Sequence, residues 1–146
     1  LIKLIILLLG MDSQVCMSTQ FGHDGDGYGG RTPTLLWDRP VEPGDMGIAH
    51  RRWPIGALVS VRNLRTKDVA FAYVADRGTY GMRDDEGWFN SRHPDNKERA
   101  EELLGLKGRK AYCGCADLTP DLAEAIGHDG KDKVRITLLD TGENKS

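Results

Sequence analysis

His50 and Asp76 bracket one continuous stretch, Gly47 to Gly78, in which two strand patterns are joined by a polar turn. Each flanks the end of the strand pair away from the turn, so a hairpin brings them to the same rim. An imidazole and a carboxyl at a sheet mouth form a candidate acid–base pair. Each side chain also has a purely structural use. His50 serves equally well as a hydrogen-bonded histidine bridging two strands, and Asp76 as a turn aspartate that accepts from its own backbone. Asp117 begins a turn into a helix, a place where an aspartate is often structural. Arg77, next to Asp76, would hold that carboxyl ionised if its guanidinium turned inward.

The elements that must position these groups are legible as periodicities. Val59 and Val61 alternate with Leu58, Ser60 and Arg62, and Val69, Phe71 and Tyr73 alternate with Ala70, Ala72 and Val74; this period of two belongs to strands. Arg65-Thr66-Lys67-Asp68 suits the connection between them, Trp53-Pro54-Ile55-Gly56 turns the chain into the first strand, and Asp76-Arg77-Gly78 turns it out of the second. Lys133 to Leu139 alternates again and reads as a last strand. Two short helices are expected. One runs from a capping box at Asp95-Asn96-Lys97-Glu98 to about Leu104, where Gly105 ends it, with Ala100, Leu103 and Leu104 apolar on a surface helix. The other starts at Thr119-Pro120-Asp121, buries Leu122, Ala125 and Ile126, and closes at Gly127.

At 146 residues, with 39% hydrophobic and 29% charged residues, the chain suits one globular domain with its own core, and its 18 glycines favour a turn-rich fold over a helix bundle. A formal net charge of -2 and the lack of a basic run argue against nucleic acid and anionic membrane as partners. Leu1 to Leu9 is apolar apart from Lys3, too short to span a bilayer, and resembles the hydrophobic part of an export signal. The expected division is a signal-like or disordered leader over 1–17, one domain over 18–140 and a polar tail over 141–146. Cys113 and Cys115 are separated by one glycine, so bridging them would strain a very small ring; a bond from either to Cys16 needs an oxidising compartment and is not assigned by sequence. Cys16 as a lipid-attachment site lacks the preceding small residue such a box needs. Zinc lacks a second ligand pair, and Asp24 and Asp26 in the glycine-rich loop Gly22–Gly30 lack the acidic partner of a calcium loop. No cofactor or metal is expected.

Taken together, Ala49-His50, Trp53-Pro54-Ile55-Gly56-Ala57, Asn63-Leu64, Asp76-Arg77-Gly78-Thr79 and Ala116-Asp117-Leu118-Thr119 resemble, in order and spacing, the double-psi β-barrel domain of the rare lipoprotein A family of peptidoglycan lytic transglycosylases, and more distantly the barrels of expansins. Phe21-Gly22 with Gly30-Arg31-Thr32 is a passable match to an earlier family segment. The resemblance covers about Phe21 to Leu139 and is interrupted between Thr79 and Cys115 by an insertion. It implies a mainly β fold, a six-stranded double-psi barrel with short helices and a helical insertion over 79–115 that overhangs a groove or merely decorates the surface. It also implies that Asp117 faces that groove beside Asp76, the two forming a close carboxylate pair. The family's active-site glutamate has no direct counterpart: counting back from His50 reaches Arg39, with Asp38 and Glu42 nearby. A one-residue shift would let Asp38 supply the carboxylate.

The function so implied is cleavage of glycan strands in the cell envelope or outside the cell, including the periplasm, with Asp76 as acid/base assisted by His50 and Asp117. Asp38, Arg77, Tyr80 and Trp88 are the expected substrate contacts. Trp37 and Phe89 are further candidates for stacking on sugar faces, while Trp53 is expected in the core. The rival is a non-catalytic glycan-binding or wall-loosening module, motivated by the missing glutamate. A phage-encoded version of either is equally compatible with the residues. The partner is peptidoglycan or a related polysaccharide, with no transmembrane span and a monomeric state expected.

Overall fold

A computed structural model describes residues 12–23 and 32–142. The apolar run Leu1–Leu9, the loop residues Asp24, Asp26, Gly30 and Arg31, and the end of the tail lie outside the described residues. Eight strands are described: β1 (Ser13–Gln20), β2 (Gly47–Ala49), β3 (Leu58–Asn63), β4 (Val69–Asp76), β5 (Gly81–Asp84), β6 (Gly87–Asn90), β7 (Gly114–Leu118) and β8 (Asp132–Asp140). The helices are α1 (Lys97–Lys107) and α2 (Pro120–Ala125).

Six strands close into a barrel in the order β1-β7-β2-β4-β3-β8, with β8 returning to β1. Two neighbouring pairs, β1–β7 and β2–β4, run parallel and the rest antiparallel. This mixed, mainly β barrel is compatible with the double-psi topology. Closure leaves no barrel edge unpaired. Period-two alternation sends Val59 and Val61 of β3, Ala72 and Val74 of β4, and Val134 and Ile136 of β8 inward, where they meet Ile48, Leu118, Leu122 and Ile126 in one core. Each large aliphatic side chain so buried stabilises the fold by about 1.5–3 kcal/mol.

β1 begins at Ser13, inside the stretch expected to be leader, and Ser13 to Ser18 pair in register with Thr137 back to Asp132. Its apolar signal is weak because only Ser18 of the strand is fully buried; ladder hydrogen bonds on both edges hold it instead. A disulfide joins Cys16 to Cys115 and ties β1 to β7, leaving Cys113 as a free thiol.

The insertion has a core of its own. β5 and β6 form a hairpin, and Met82 and Phe89 pack with Ala100, Leu103 and Ala111. The capping box does not form: a 3-10 turn over Pro94–Asn96 leads into α1, and it is the His93 side chain that accepts from the backbone N–H of Asp95. The helix runs through Gly105 to Lys107, and Gly108, at φ 56, ends it. Thr119 stands at the expected start of α2, yet its hydroxyl accepts from the N–H of Gly47 and donates to the carbonyl of Asp45, so it braces β2 rather than capping the helix. α2 buries Ala123, and Ala125 is exposed.

Candidate active site

Ala49 is the centre of the site. It is the register partner of Asp76 across the parallel β2–β4 pair and of Asp117 across the antiparallel β2–β7 pair, while Asp117 in turn pairs with Thr19 of β1. Thr19, Asp117, Ala49 and Asp76 thus form one row across four strands, and lateral neighbours in a sheet present their side chains to the same face. All four line an open groove of about 1060 Å³.

A register shift places Asp76 in this row. Ile48 pairs with Val74, but the next residue, Ala49, pairs with Asp76, so Ala75 is an extra residue on β4. Bulges of this kind re-aim the side chains that follow them. Ala75 is buried, and its carbonyl accepts from the N–H of Leu36. The turn that supplies Leu36 is built on Thr34, whose hydroxyl and N–H both donate to the carbonyl of Arg39.

The carboxylates are held by short local contacts. Thr19 Oγ1 donates to Asp117 Oδ1, and the backbone N–H of Arg77 donates to Asp76 Oδ1 at 2.9 Å. Gly78 makes the fit between them possible. A Cβ at this position would lie 3.3 Å from both the Ala49 methyl and Asp117 Oδ2, and φ is 155°. Any side chain there would crowd the groove floor and strain the backbone.

His50 is close to Asp76 through the backbone only, its N–H donating to the Asp76 carbonyl at 3.0 Å. The imidazole does not line the groove; it is 3% exposed and stacks on Trp53 with ring centroids 4.3 Å apart. Nδ1 accepts from the N–H groups of Arg52 and Trp53 at 3.1 and 2.9 Å, which puts the proton on Nε2, donating to Gln14 Oε1 at 3.2 Å. Burial, reinforced by the charges of Arg52, Arg51 and Arg77, pushes its pKa down to about 4. The ring is a neutral scaffold histidine, so the structural use foreseen for it is the one its contacts support.

Arg77 lines the groove, but its guanidinium also donates to the carbonyls of His50 and Trp53 at 3.1 and 2.5 Å. It clamps the turn behind Asp76. Asp38 is elsewhere: exposed, outside the groove lining, and at φ 55 within the Thr34–Arg39 turn. Glu42 and Asp45 are paired with Arg39. Asp76 and Asp117 are therefore the carboxyl side chains of the groove among the described residues, and Asp38 does not add a third.

Tyr80, Trp88 and Phe89 all line the groove, and Phe89 is also packed into the insertion core with Arg99 over its ring. Trp88 is the more exposed of the two neighbours because successive strand residues face opposite sides. Thr19, Ala49, Arg92 and Lys131, which their residue types alone do not mark as site residues, also line the groove. Thr19 carried no signal because β1 was not recognised, and the two cations look like ordinary surface charges. Among the described residues, no cluster of three or more His, Cys, Asp or Glu is placed to hold a metal, and no helix is long and apolar enough to cross a membrane. In comparisons with known proteins, no family model and no curated protein matches the chain.

Proposed function

We propose that this protein is a lytic transglycosylase-like enzyme of peptidoglycan, exported to the cell envelope or beyond, with Asp76 as the acid/base and Asp117 as its partner. The observation that carries this reading is the row Thr19–Asp117–Ala49–Asp76 on the floor of an open groove. A polymer can lie in such a groove, and the small Ala49 leaves room for a sugar between the two carboxyls. Support also comes from the motif resemblance to the rare lipoprotein A family, from a barrel compatible with its double-psi fold, and from the Cys16–Cys115 disulfide, a bond that persists in oxidising compartments.

The chemistry needs one proton donor. Protonated Asp76 gives its proton to the glycosidic oxygen as the C1–O bond breaks, and the Asp117 carboxylate, held by Thr19, offsets the positive charge growing at C1 and the ring oxygen. The 6-hydroxyl of the same muramic acid then attacks C1, its proton returns to the Asp76 carboxylate, and a 1,6-anhydro sugar is released. Asp76 ends protonated, ready for the next bond. Neighbouring strands are about 4.8 Å apart, so the backbones of Asp76 and Asp117 are about 10 Å apart on either side of Ala49. One carboxyl acting as both acid and base is sufficient for this reaction.

The absence of Asp38 from the groove favours a second reading, a glycan-binding or wall-loosening module without turnover. Incubation with purified peptidoglycan and mass spectrometry of the soluble products separates the two. Anhydromuramyl fragments support the enzyme; tight sedimentation with the polymer and no fragments supports the module.

A further inference from the structure

The groove also carries two cations that no described residue neutralises. Arg92 lies over Tyr80, 3.9 Å from the ring centroid, and Lys131 lies over Trp88 at 4.5 Å. All four residues line the groove. Neither cationic head forms an ion pair or a side-chain hydrogen bond with any described residue. Other cations nearby are engaged: Arg99, over Phe89, is bound by Asp84 at 2.5 Å, and Arg77 by two carbonyls. An aromatic face fixes a cation in place through the ring quadrupole while leaving its outward N–H groups without partners.

One face of each aromatic ring is thus covered by charge, which changes what the groove can recognise. A neutral sugar stacks on a bare ring; a ring capped by a guanidinium or ammonium favours an anion. Resting on the proposed reaction at the same groove, we infer that Arg92 and Lys131 bind a carboxylate carried by the glycan, next to the bond presented to Asp76 and Asp117. The two cations come from different elements, Arg92 from the insertion just after β6 and Lys131 from the loop entering β8. A carboxylate bound between them would also hold the insertion against the barrel. In peptidoglycan the group is the lactyl carboxylate itself or a carboxylate of the attached peptide; the chemistry is the same.

The test is binding of soluble peptidoglycan strands to the full chain by calorimetry, with Asp76→Asn used to block turnover. Three ligands are compared: strands with peptides, strands freed of peptides so that the lactyl carboxylate is bare, and the same peptide-free strands with that carboxylate converted to a methylamide. Amidation should weaken binding about tenfold, and the difference should shrink at high salt and vanish in Arg92→Gln/Lys131→Gln. Both side chains are exposed, so the variant should melt at the wild-type temperature. Tighter binding of the peptide-bearing strands would place the recognised group on the peptide, and tighter binding of the bare strands on the lactyl arm. Equal binding of all three ligands, or a preference for the carboxylate-bearing ligand that survives the double substitution, would overturn the inference. It stands or falls apart from the reaction: a chain that prefers the acid form but never cleaves it refutes the transglycosylase and leaves the carboxylate site intact.

Discussion

Asp76 and Asp117 are both register partners of Ala49, one on each side, although they lie on strands that never pair with each other. Between the two strands runs β2, three residues long and wholly buried. Its shortness matters: the chain leaves the sheet directly after Ala49, so the two carboxyls stand at the open end of the barrel wall.

Thr19 should matter to activity through Asp117 rather than by touching the sugar. Thr19→Val removes the donor to Asp117 Oδ1 at nearly constant volume. The expected result is a drop of about tenfold in the rate of product release with little change in melting temperature, and Thr19→Ser should restore most of it. An unchanged rate in Thr19→Val would show that the hydroxyl has no part in holding the carboxylate.

His50 predicts an acid sensitivity whose direction follows from its environment. Its folded-state pKa is depressed to about 4, below the ordinary value of 6.5. Well above pH 6.5 the ring is neutral in both states and this group adds no pH dependence. As pH falls from about 6.5 to about 4 the unfolded chain takes up a proton that the folded chain refuses, and stability declines by at most about 1.4 kcal/mol per pH unit. Below about pH 4 the decline from this group levels off. Urea titrations at pH 7.5, 6, 5 and 4 should show the slope. A His50→Gln variant should start less stable but lose less between pH 6.5 and 4. Equal slopes in the two proteins would contradict the neutral, buried ring.

The Cys16–Cys115 bond closes a loop with a sequence separation of 99, long enough for a stabilisation of about 4–5 kcal/mol if chain entropy dominates. Reduction, or Cys16→Ala, should lower the denaturation midpoint accordingly, and peptide mapping should find Cys113 alone alkylated in the unreduced protein. Labelling of all three cysteines without reductant would show that the bond is not formed.

Much of the fold was legible because it rests on local periodicity: β3, β4 and β8 alternate clearly, and the turns at Trp53-Pro54 and Asp76-Arg77-Gly78 are marked by their residue types. The orientation of Asp76 was not. Strict alternation along Ala72, Val74 and Asp76 would send the aspartate into the core with the other two; only the extra residue at Ala75 turns it out, and that register belongs to the pairing with β2. Asp117, by contrast, follows its pattern, since Ala116 and Leu118 are buried on either side of it. His50 was misleading for a related reason. Its position beside Asp76 holds for the backbone, but strand geometry and the two N–H groups of the following turn draw the ring away. β1 was invisible because a strand saturated with ladder hydrogen bonds needs little hydropathy to be stable.

The most direct test of the proposed chemistry is digestion of peptidoglycan in water enriched in heavy oxygen. Wild-type protein should release muramyl ends in the 1,6-anhydro form without the label, because the sugar's own hydroxyl is the nucleophile. Asp76→Asn should lower the release by about 10²–10⁴-fold while melting at the wild-type temperature. Labelled reducing ends would mean that water attacks, and undiminished release by Asp76→Asn would mean that this carboxyl is not the proton donor.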